Sequence, residues 1–327
     1  MRAVFASKDG FFNRSVASPV IRSNDVKVTV DATSINPHDI KAMTQLSDNN
    51  EVVYGYDVVG HISAIGNAVK HFNVGQRVIY SGTDKRQGSF AEEQVVDEKL
   101  IAKVDDHFSD IQLAGIPLVG LTAYELLFEQ MNFIASKNAN TGKKLLVING
   151  AGGVGSILTQ LAHWSGLIVF ATASPNHFQG LLRNKVDTVV DYHKALRPQL
   201  NTFVDGTAIL SNLDDYFDAA VQLTLPHGII GTTVSSKEGI QFSKLFEKSL
   251  TLASEMVFTK ANTHFRDETQ GQILKFLINL MTLGEIKPVI SKVISGGITA
   301  KNLSHAANIL STSHAAGKII ILNRPCK

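Results

Sequence analysis

LLVINGAGGVG, residues 145–155, is an apolar run closed by glycines: Leu145, Leu146, Val147, Ile148 and Asn149 precede Gly150, Gly152 and Gly155 at G-x-G-x-x-G spacing. A short apolar run bounded this way predicts a buried parallel strand. Behind the glycines, Ile157, Leu158, Leu161 and Ala162 recur at helical period and share one face. Strand, glycine turn and helix in that order form a dinucleotide-binding fingerprint, whereas the glycines alone would mark only a tight turn. Gly150 is expected to turn the chain, Gly152 to admit a pyrophosphate to the backbone, and Gly155 to let the helix lie close to the strand. Together with Gly153 and Val154 they would present a helix N-terminus, whose unpaired N–H groups and dipole favour an anion.

Around this centre there is room for two domains in 327 residues, and 44% hydrophobic with 18% charged residues suits packed cores. The formal net charge is only +2, with Lys and Arg scattered, so no basic face points to nucleic acid. The opening MRAVFASKDG carries an apolar run too short for a signal peptide. No stretch is expected to reach the length of a bilayer span, since the apolar residues 273–283 contain Lys275 and Asn279. A cytoplasmic protein without membrane contact is the expectation. The single cysteine, Cys326, excludes an intrachain disulfide and a multi-cysteine zinc site.

Up to about residue 100 the pattern is one of short strands and turns. Val26, Val28 and Val30 alternate with Lys27 and Thr29, and residues 58–65, 77–80 and 93–96 are further strand candidates, which suggests a small β-barrel or sandwich. Residues 111–114 and 123–128 have helical spacing, with Pro117, Gly120 and Thr122 between them. After the glycine turn, residues 167–171, 188–190, 217–222 and 228–233 read as short apolar strands of a doubly wound parallel sheet, an α/β pattern. Residues 272–283 and 303–310 then predict helices and 318–322 a last strand, a tail expected to return to the first domain.

Several motifs in order resemble the medium-chain dehydrogenase/reductase superfamily, most closely its zinc-independent, quinone-oxidoreductase-like branch. They are Asn36-Pro37-His38-Asp39, Gly55-Tyr56-Asp57-Val58-Val59-Gly60, Gly88-Ser89-Phe90-Ala91-Glu92, Gly120-Leu121-Thr122-Ala123, the Gly150–Gly155 turn and Gly317-Lys318. The resemblance implies a GroES-like β-barrel catalytic domain from residues 1–115 and 261–327, with a Rossmann domain, 116–260, inserted between them. It also implies a nicotinamide cofactor in the cleft between the two, and a homodimer or homotetramer. Where zinc-dependent members have a ligating cysteine this chain has Asn36, and where they have His-Glu it has Tyr56-Asp57. Zinc prefers thiolate and imidazole, so no metal is expected.

NAD-binding Rossmann domains place an acid about twenty residues beyond the glycines, to bond the ribose. Here the second strand ends in Ala171-Thr172-Ala173-Ser174-Pro175 without a carboxylate, which favours NADPH, with Ser174 as a donor to its 2′-phosphate or as a helix N-cap, and His177 or Arg183 nearby. Asp187 and Asp191 lie too far along to be the ribose acid. By resemblance Tyr192 lies near the adenosine end, Asn36 and Thr122 line the nicotinamide pocket, and Lys318 also belongs to the cofactor site.

Without a metal Lewis acid, a conjugated acceptor is the easier substrate, because arriving charge is delocalised. The expected reaction is therefore hydride transfer from NADPH to a quinone or α,β-unsaturated carbonyl, held roughly 3 to 3.5 Å from the nicotinamide carbon. His38, Lys41 and Tyr56 are the candidate proton donors, each with an ordinary alternative: a solvent-facing His, a surface Lys, a Tyr that only walls the cleft. Asp39 and Asp57 read as loop-holding residues. Two other readings stand beside this one: a zinc-free aldehyde or ketone reductase using His38 and Lys41, and an NADPH-binding redox sensor without turnover.

Overall fold

The computed structural model describes residues 1–48, 50–312 and 316–323, so Cys326 lies outside the described residues. The chain divides into two compact units, one made of Met1–Leu121, Phe258–Thr282 and Pro288–Lys327, the other of Thr122–Val257 and Leu283–Lys287.

The first unit is built on the eleven-residue strand Asp25–Ile35. Val26, Val28 and Val30 are fully buried, as their alternation requires. This strand pairs antiparallel with Asp57–Ile65 along its length, with Glu93–Asp97 through Asp25–Thr29, and with Lys318–Leu322 through Ala32–Ile35. Arg77–Ser81 and Ala102–Lys103 extend the sheet on one side, and Ile290–Ile294, parallel to Lys318–Leu322, extends it on the other. Strand Ile290–Ile294 is absent from the sequence reading because Ser291 and Lys292 interrupt its apolar run. Ile35, Ile319 and Ile321 pack with Leu303 and Ala306 of helix Ala300–Thr312 in one core cluster.

The second unit is a six-stranded, all-parallel sheet in the order Thr188–Asp191, Ile168–Ala173, Lys144–Ile148, Val204–Ile209, Thr224–Thr232, Thr251–Ser254. Numbered within the unit this is 3-2-1-4-5-6, the dinucleotide-binding order, with the strand before the glycine turn at its centre. The sheet differs from expectation in three places, one being the edge strand Thr251–Ser254, which the sequence reading lacks. Residues 217–222 are not a strand but part of helix Leu213–Leu223, which buries Leu213, Phe217, Ala220 and Val221 at i, i+4, i+7 and i+8. The fourth strand of the unit is instead Val204–Ile209, absent from the sequence reading because Asp205 and Gly206 interrupt its apolar run; Gly206 lies where a Cβ would stand 3.0 Å from Met131.

The region around residues 110–130 also departs from expectation. Pro117, Gly120 and Thr122 do not separate two helices: Pro117 opens the helix Pro117–Tyr124, which runs on as a π-helical turn, Glu125–Gln130. With the short helix Asp110–Leu113 that precedes it across a turn at 114–116, the stretch Asp110–Gln130 is long and apolar enough to cross a membrane by length and composition alone. Its most apolar window is 83% buried in the fold, as in a core helix.

The turn itself is shaped by close approach. The left-handed residue is Asn149, with φ 66°, not Gly150; Asn tolerates that conformation and so takes over the turning expected of the glycine. Gly150 is needed because a Cβ there would stand 2.7 Å from the Ala171 Cβ, and Gly155 because one would stand 2.3 Å from the Asn149 carbonyl oxygen. Gly155→Ala should therefore destabilise the protein by about 1–3 kcal/mol in urea unfolding, as overpacking against backbone does. Gly180→Ala, in helix Phe178–Arg183 where the nearest atom is 4.0 Å away, should stabilise it by about 0.5–1 kcal/mol.

Candidate functional site

In the second unit the site is a set of strand ends. The Asn149 amide donates to Thr172 Oγ1 at 2.9 Å and the Gly150 amide to the Thr172 carbonyl at 2.9 Å, tying the glycine turn to the neighbouring strand. Helix Gly153–Trp164 starts after Gly152 with no side-chain cap, so the amides of its first turn, at Gly153, Val154 and Gly155, are left for a ligand. Glycines that a Cβ would obstruct, an uncapped helix N-terminus and a strand leading straight into it suit a diphosphate. Ser174 and Tyr192 follow the carboxyl ends of the two strands adjoining on that side, with Ala173 and Asp191 paired in register. Ser174 occupies the N-cap position of the turn Pro175–His177, yet its side chain makes no capping bond. Tyr192 is half-buried, its ring 4.2 Å from that of His193. His177 is half-buried and Arg183 exposed. Asp187 accepts from the Val169 amide at 2.7 Å, while Asp191 accepts from the His193 amide and ring, so both acids are in use. Thr122 is buried within helix Pro117–Tyr124.

In the first unit the sequence brings Asn36, Asp57 and Lys318 together from three strands or strand ends. Lys318 is 4% exposed, Asn36 1% and Asp57 0%. The Lys318 ammonium donates to Asn36 Oδ1 and, at 3.0 Å, to Asp57 Oδ2. Asn36 Nδ2 donates to the same Oδ2 at 2.9 Å, and Ser34 Oγ donates to it as well. Asp57 Oδ1 accepts the Leu118 amide at 2.7 Å. Asp39, at the start of helix Pro37–Thr44, accepts the Asn36 amide at 2.7 Å and the Gly55 amide at 3.0 Å. Burial outweighs these two donors and the Lys318 ammonium, and with Asp57 nearby it pushes the Asp39 carboxyl up to about 7.

Beside this network stand three rings. His38 and Tyr56 are 5.4 Å apart, His38 and Phe258 5.2 Å, Tyr56 and Phe258 4.6 Å. The Tyr56 hydroxyl is buried with no hydrogen-bond partner among the described residues, as are those of Tyr80 and Ser81 in strand Arg77–Ser81. Burial raises the Tyr56 pKa and keeps the phenol protonated; burial also lowers that of His38, against the pull of Asp84, and Lys41 adds to the lowering. Lys41 itself is exposed in the last turn of its helix. Sequence reasoning missed Ser34 and Phe258, which sit in unremarkable surroundings; only the fold places Phe258 against residues some two hundred positions earlier.

The donor set at Asn36, Tyr56 and Asp57 does not fit zinc. An amide and a phenol are poor ligands, and the Asp57 carboxylate already accepts four donors, one of them a cation. Among the described residues no group of three or more His, Cys, Asp or Glu is arranged to hold a metal.

A mixed α/β chain with an antiparallel unit and a 3-2-1-4-5-6 parallel sheet defines a dinucleotide-binding oxidoreductase architecture. Comparison with known proteins specifies it. Residues 22–106 match the Alcohol dehydrogenase GroES-like domain. The chain is 34% identical over 316 residues to the zinc-type alcohol dehydrogenase-like protein of Staphylococcus epidermidis, covering 95% of this chain and 93% of that one. It is 28% identical over 323 residues to the chloroplastic NADPH-dependent alkenal/one oxidoreductase of Arabidopsis thaliana, covering 95% and 75%. A Rhizobium etli crystal structure assigned as a zinc-dependent alcohol dehydrogenase superposes with TM-score 0.92 at 25% identity, over 100% of this chain and 99% of that one. The chain belongs to the medium-chain dehydrogenase/reductase superfamily, a family of oxidoreductases, with a GroES-like domain and a Rossmann-like domain.

The Asp39 carboxyl yields a pH prediction. With a folded-state value of about 7 against an ordinary 3.8, the folded protein keeps a proton that the unfolded chain releases, so stability falls as pH rises from about 4 to about 7 and levels off above. Unfolding free energies measured across that window should show this falling component in the wild type and lack it in Asp39→Asn.

Proposed function

We propose that the protein is a metal-independent, NADPH-dependent reductase of α,β-unsaturated carbonyls or quinones. The observation that carries this reading is the buried Lys318 ammonium on Asn36 and Asp57: a fixed cation stands among the side chains that correspond, by resemblance, to metal ligands, and leaves no donor set for zinc. The Arabidopsis relative, named for NADPH and for alkenals and alkenones, supports the same choice.

When bound, the reduced nicotinamide supplies the hydride and its electron pair to the β-carbon of the acceptor, and a proton completes the product. The chain's residues do the rest. The glycine turn and the amides of Gly153, Val154 and Gly155 hold the diphosphate. Ser174, free of a capping bond and in a strand end, residues 171–175, without a carboxylate, receives the 2′-phosphate, and Tyr192 flanks the adenosine. By resemblance, Asn36 and Thr122 line the nicotinamide end, and Lys318 belongs to the cofactor site through its hydrogen bond to Asn36. Tyr56 donates its hydroxyl hydrogen bond to the acceptor oxygen as negative charge develops there; a buried, protonated phenol with no other partner is suited to that task. His38, neutral, half-buried and packed on Tyr56, is the group we assign to proton relay, with Lys41 exposed in the last turn of the same helix as the alternative donor.

Oxidation of NADPH by a panel of enones, quinones and simple aldehydes, after exhaustive dialysis against a chelator, tests the proposal. Enone or quinone turnover should survive the dialysis; stoichiometric zinc by elemental analysis, or preference for simple aldehydes, would overturn it. Tyr56→Phe should lower kcat roughly 10²- to 10³-fold, the effect of one oxyanion donor. It should leave thermal stability unchanged or higher, because the hydroxyl it removes has no partner. Ser174→Asp should raise the Kd for NADPH at least about tenfold by repulsion of the 2′-phosphate, while NADH affinity rises or is unchanged.

A further inference from the structure

We infer that Lys318 is the positioning residue that fixes the orientation of the Asn36 carboxamide and thereby aims its one uncommitted N–H. This rests on the proposed reaction for its consequence, but not for its geometry. A lysine ammonium only donates and an ionised carboxylate only accepts, so the amide between them has no choice of orientation. Oδ1 faces the Lys318 ammonium and Nδ2 faces Asp57 Oδ2. The backbone amide of Asn36 is held independently by Asp39. Each end of the side chain is thus assigned, and the amide is clamped at its oxygen by a cation and at its nitrogen by an anion, all three groups being at least nine-tenths buried.

What remains is a count of hydrogens. Asn36 Nδ2 carries two, and one goes to Asp57; the other has no acceptor among the described residues. In a buried setting such a donor is costly to leave unmade, and its natural acceptor is a ligand oxygen, a carboxamide or carbonyl. Were the amide flipped, its oxygen would face the Asp57 carboxylate and its NH₂ the Lys318 ammonium, two repulsive contacts in place of two attractive ones. Lys318 therefore acts on the ligand through Asn36, by keeping a donor and not an acceptor turned toward the ligand oxygen. Lys318→Met frees the amide to rotate, and an acceptor can then meet the ligand.

The experiment reads orientation first in the free protein. In wild type labelled with 15N-asparagine, with Asn36 assigned by its loss in Asn36→Ala, the two side-chain protons should appear as one non-interconverting pair, one protected from solvent exchange and the other shifting when NADPH or an enone is added. Two interconverting amide states would overturn the inference without touching the proposed function, which stands or falls on turnover. In Lys318→Met, kcat for the enone should drop about tenfold, whereas the same substitution in an Asn36→Ala background should change it less than about twofold. Equal losses in both backgrounds would show that Lys318 acts independently of Asn36, and overturn the inference. Should Lys318→Met fail to fold, the wild-type amide spectrum decides alone.

Discussion

The first unit depends on a buried ion pair, Lys318 with Asp57, between residues 261 positions apart in the chain. Removing two charges from water costs several kcal/mol per ion, so such a pair persists only where other hydrogen bonds complete it. Here they do. Asp57 takes the Ser34 hydroxyl, the Asn36 amide and the Leu118 backbone N–H in addition to the ammonium, and Lys318 takes Asn36 as its second acceptor. The pair also links three strands of one sheet, Asp25–Ile35 through Ser34, Asp57–Ile65 and Lys318–Leu322, at the edge of helix Pro37–Thr44. A carboxylate so fully engaged is a structural tie between these strands, and the groups next to it differ from it in environment.

Those neighbours divide the work by environment. Asp39 is buried beneath two backbone donors and holds the loop at Gly55 to the start of its helix. Tyr56 turns the other way, into an aromatic pocket with His38 and Phe258, where burial keeps its phenol protonated and no protein acceptor competes for it. One side of the strand start at residues 55–57 is thus electrostatically complete and the other has a donor in hand.

In the second unit the controlling constraint is steric. Two glycines exist because the turn meets the adjacent strand, and the helix meets the turn, closer than a methyl group allows, and the sharp bend falls on Asn149. This compression delivers an uncapped helix N-terminus at the carboxyl end of the central strand, the position a doubly wound sheet offers to an anionic ligand.

Much of this was legible in local pattern. The glycine spacing with its flanking apolar periods determined the dinucleotide-binding unit, the alternation at Val26, Val28 and Val30 determined the long central strand, and the absence of cysteine other than Cys326 bore on the metal question. These are properties of neighbouring residues, set by periods of two and 3.6 along the chain. Local pattern failed where the window was too short or the burial too complete to show a period: residues 217–222 read as a strand although the buried face of their helix emerges only over Leu213–Leu223, and Pro117 read as a break although it opens a helix buried on nearly every side. Only the tertiary structure decided that Lys318 meets Asn36 and Asp57, that Phe258 closes over Tyr56, and that the Tyr56 hydroxyl is left without a partner. The first two are contacts across long stretches of chain and the third is the surrounding they leave, all fixed by strand order and register, which no short-range pattern of residues encodes.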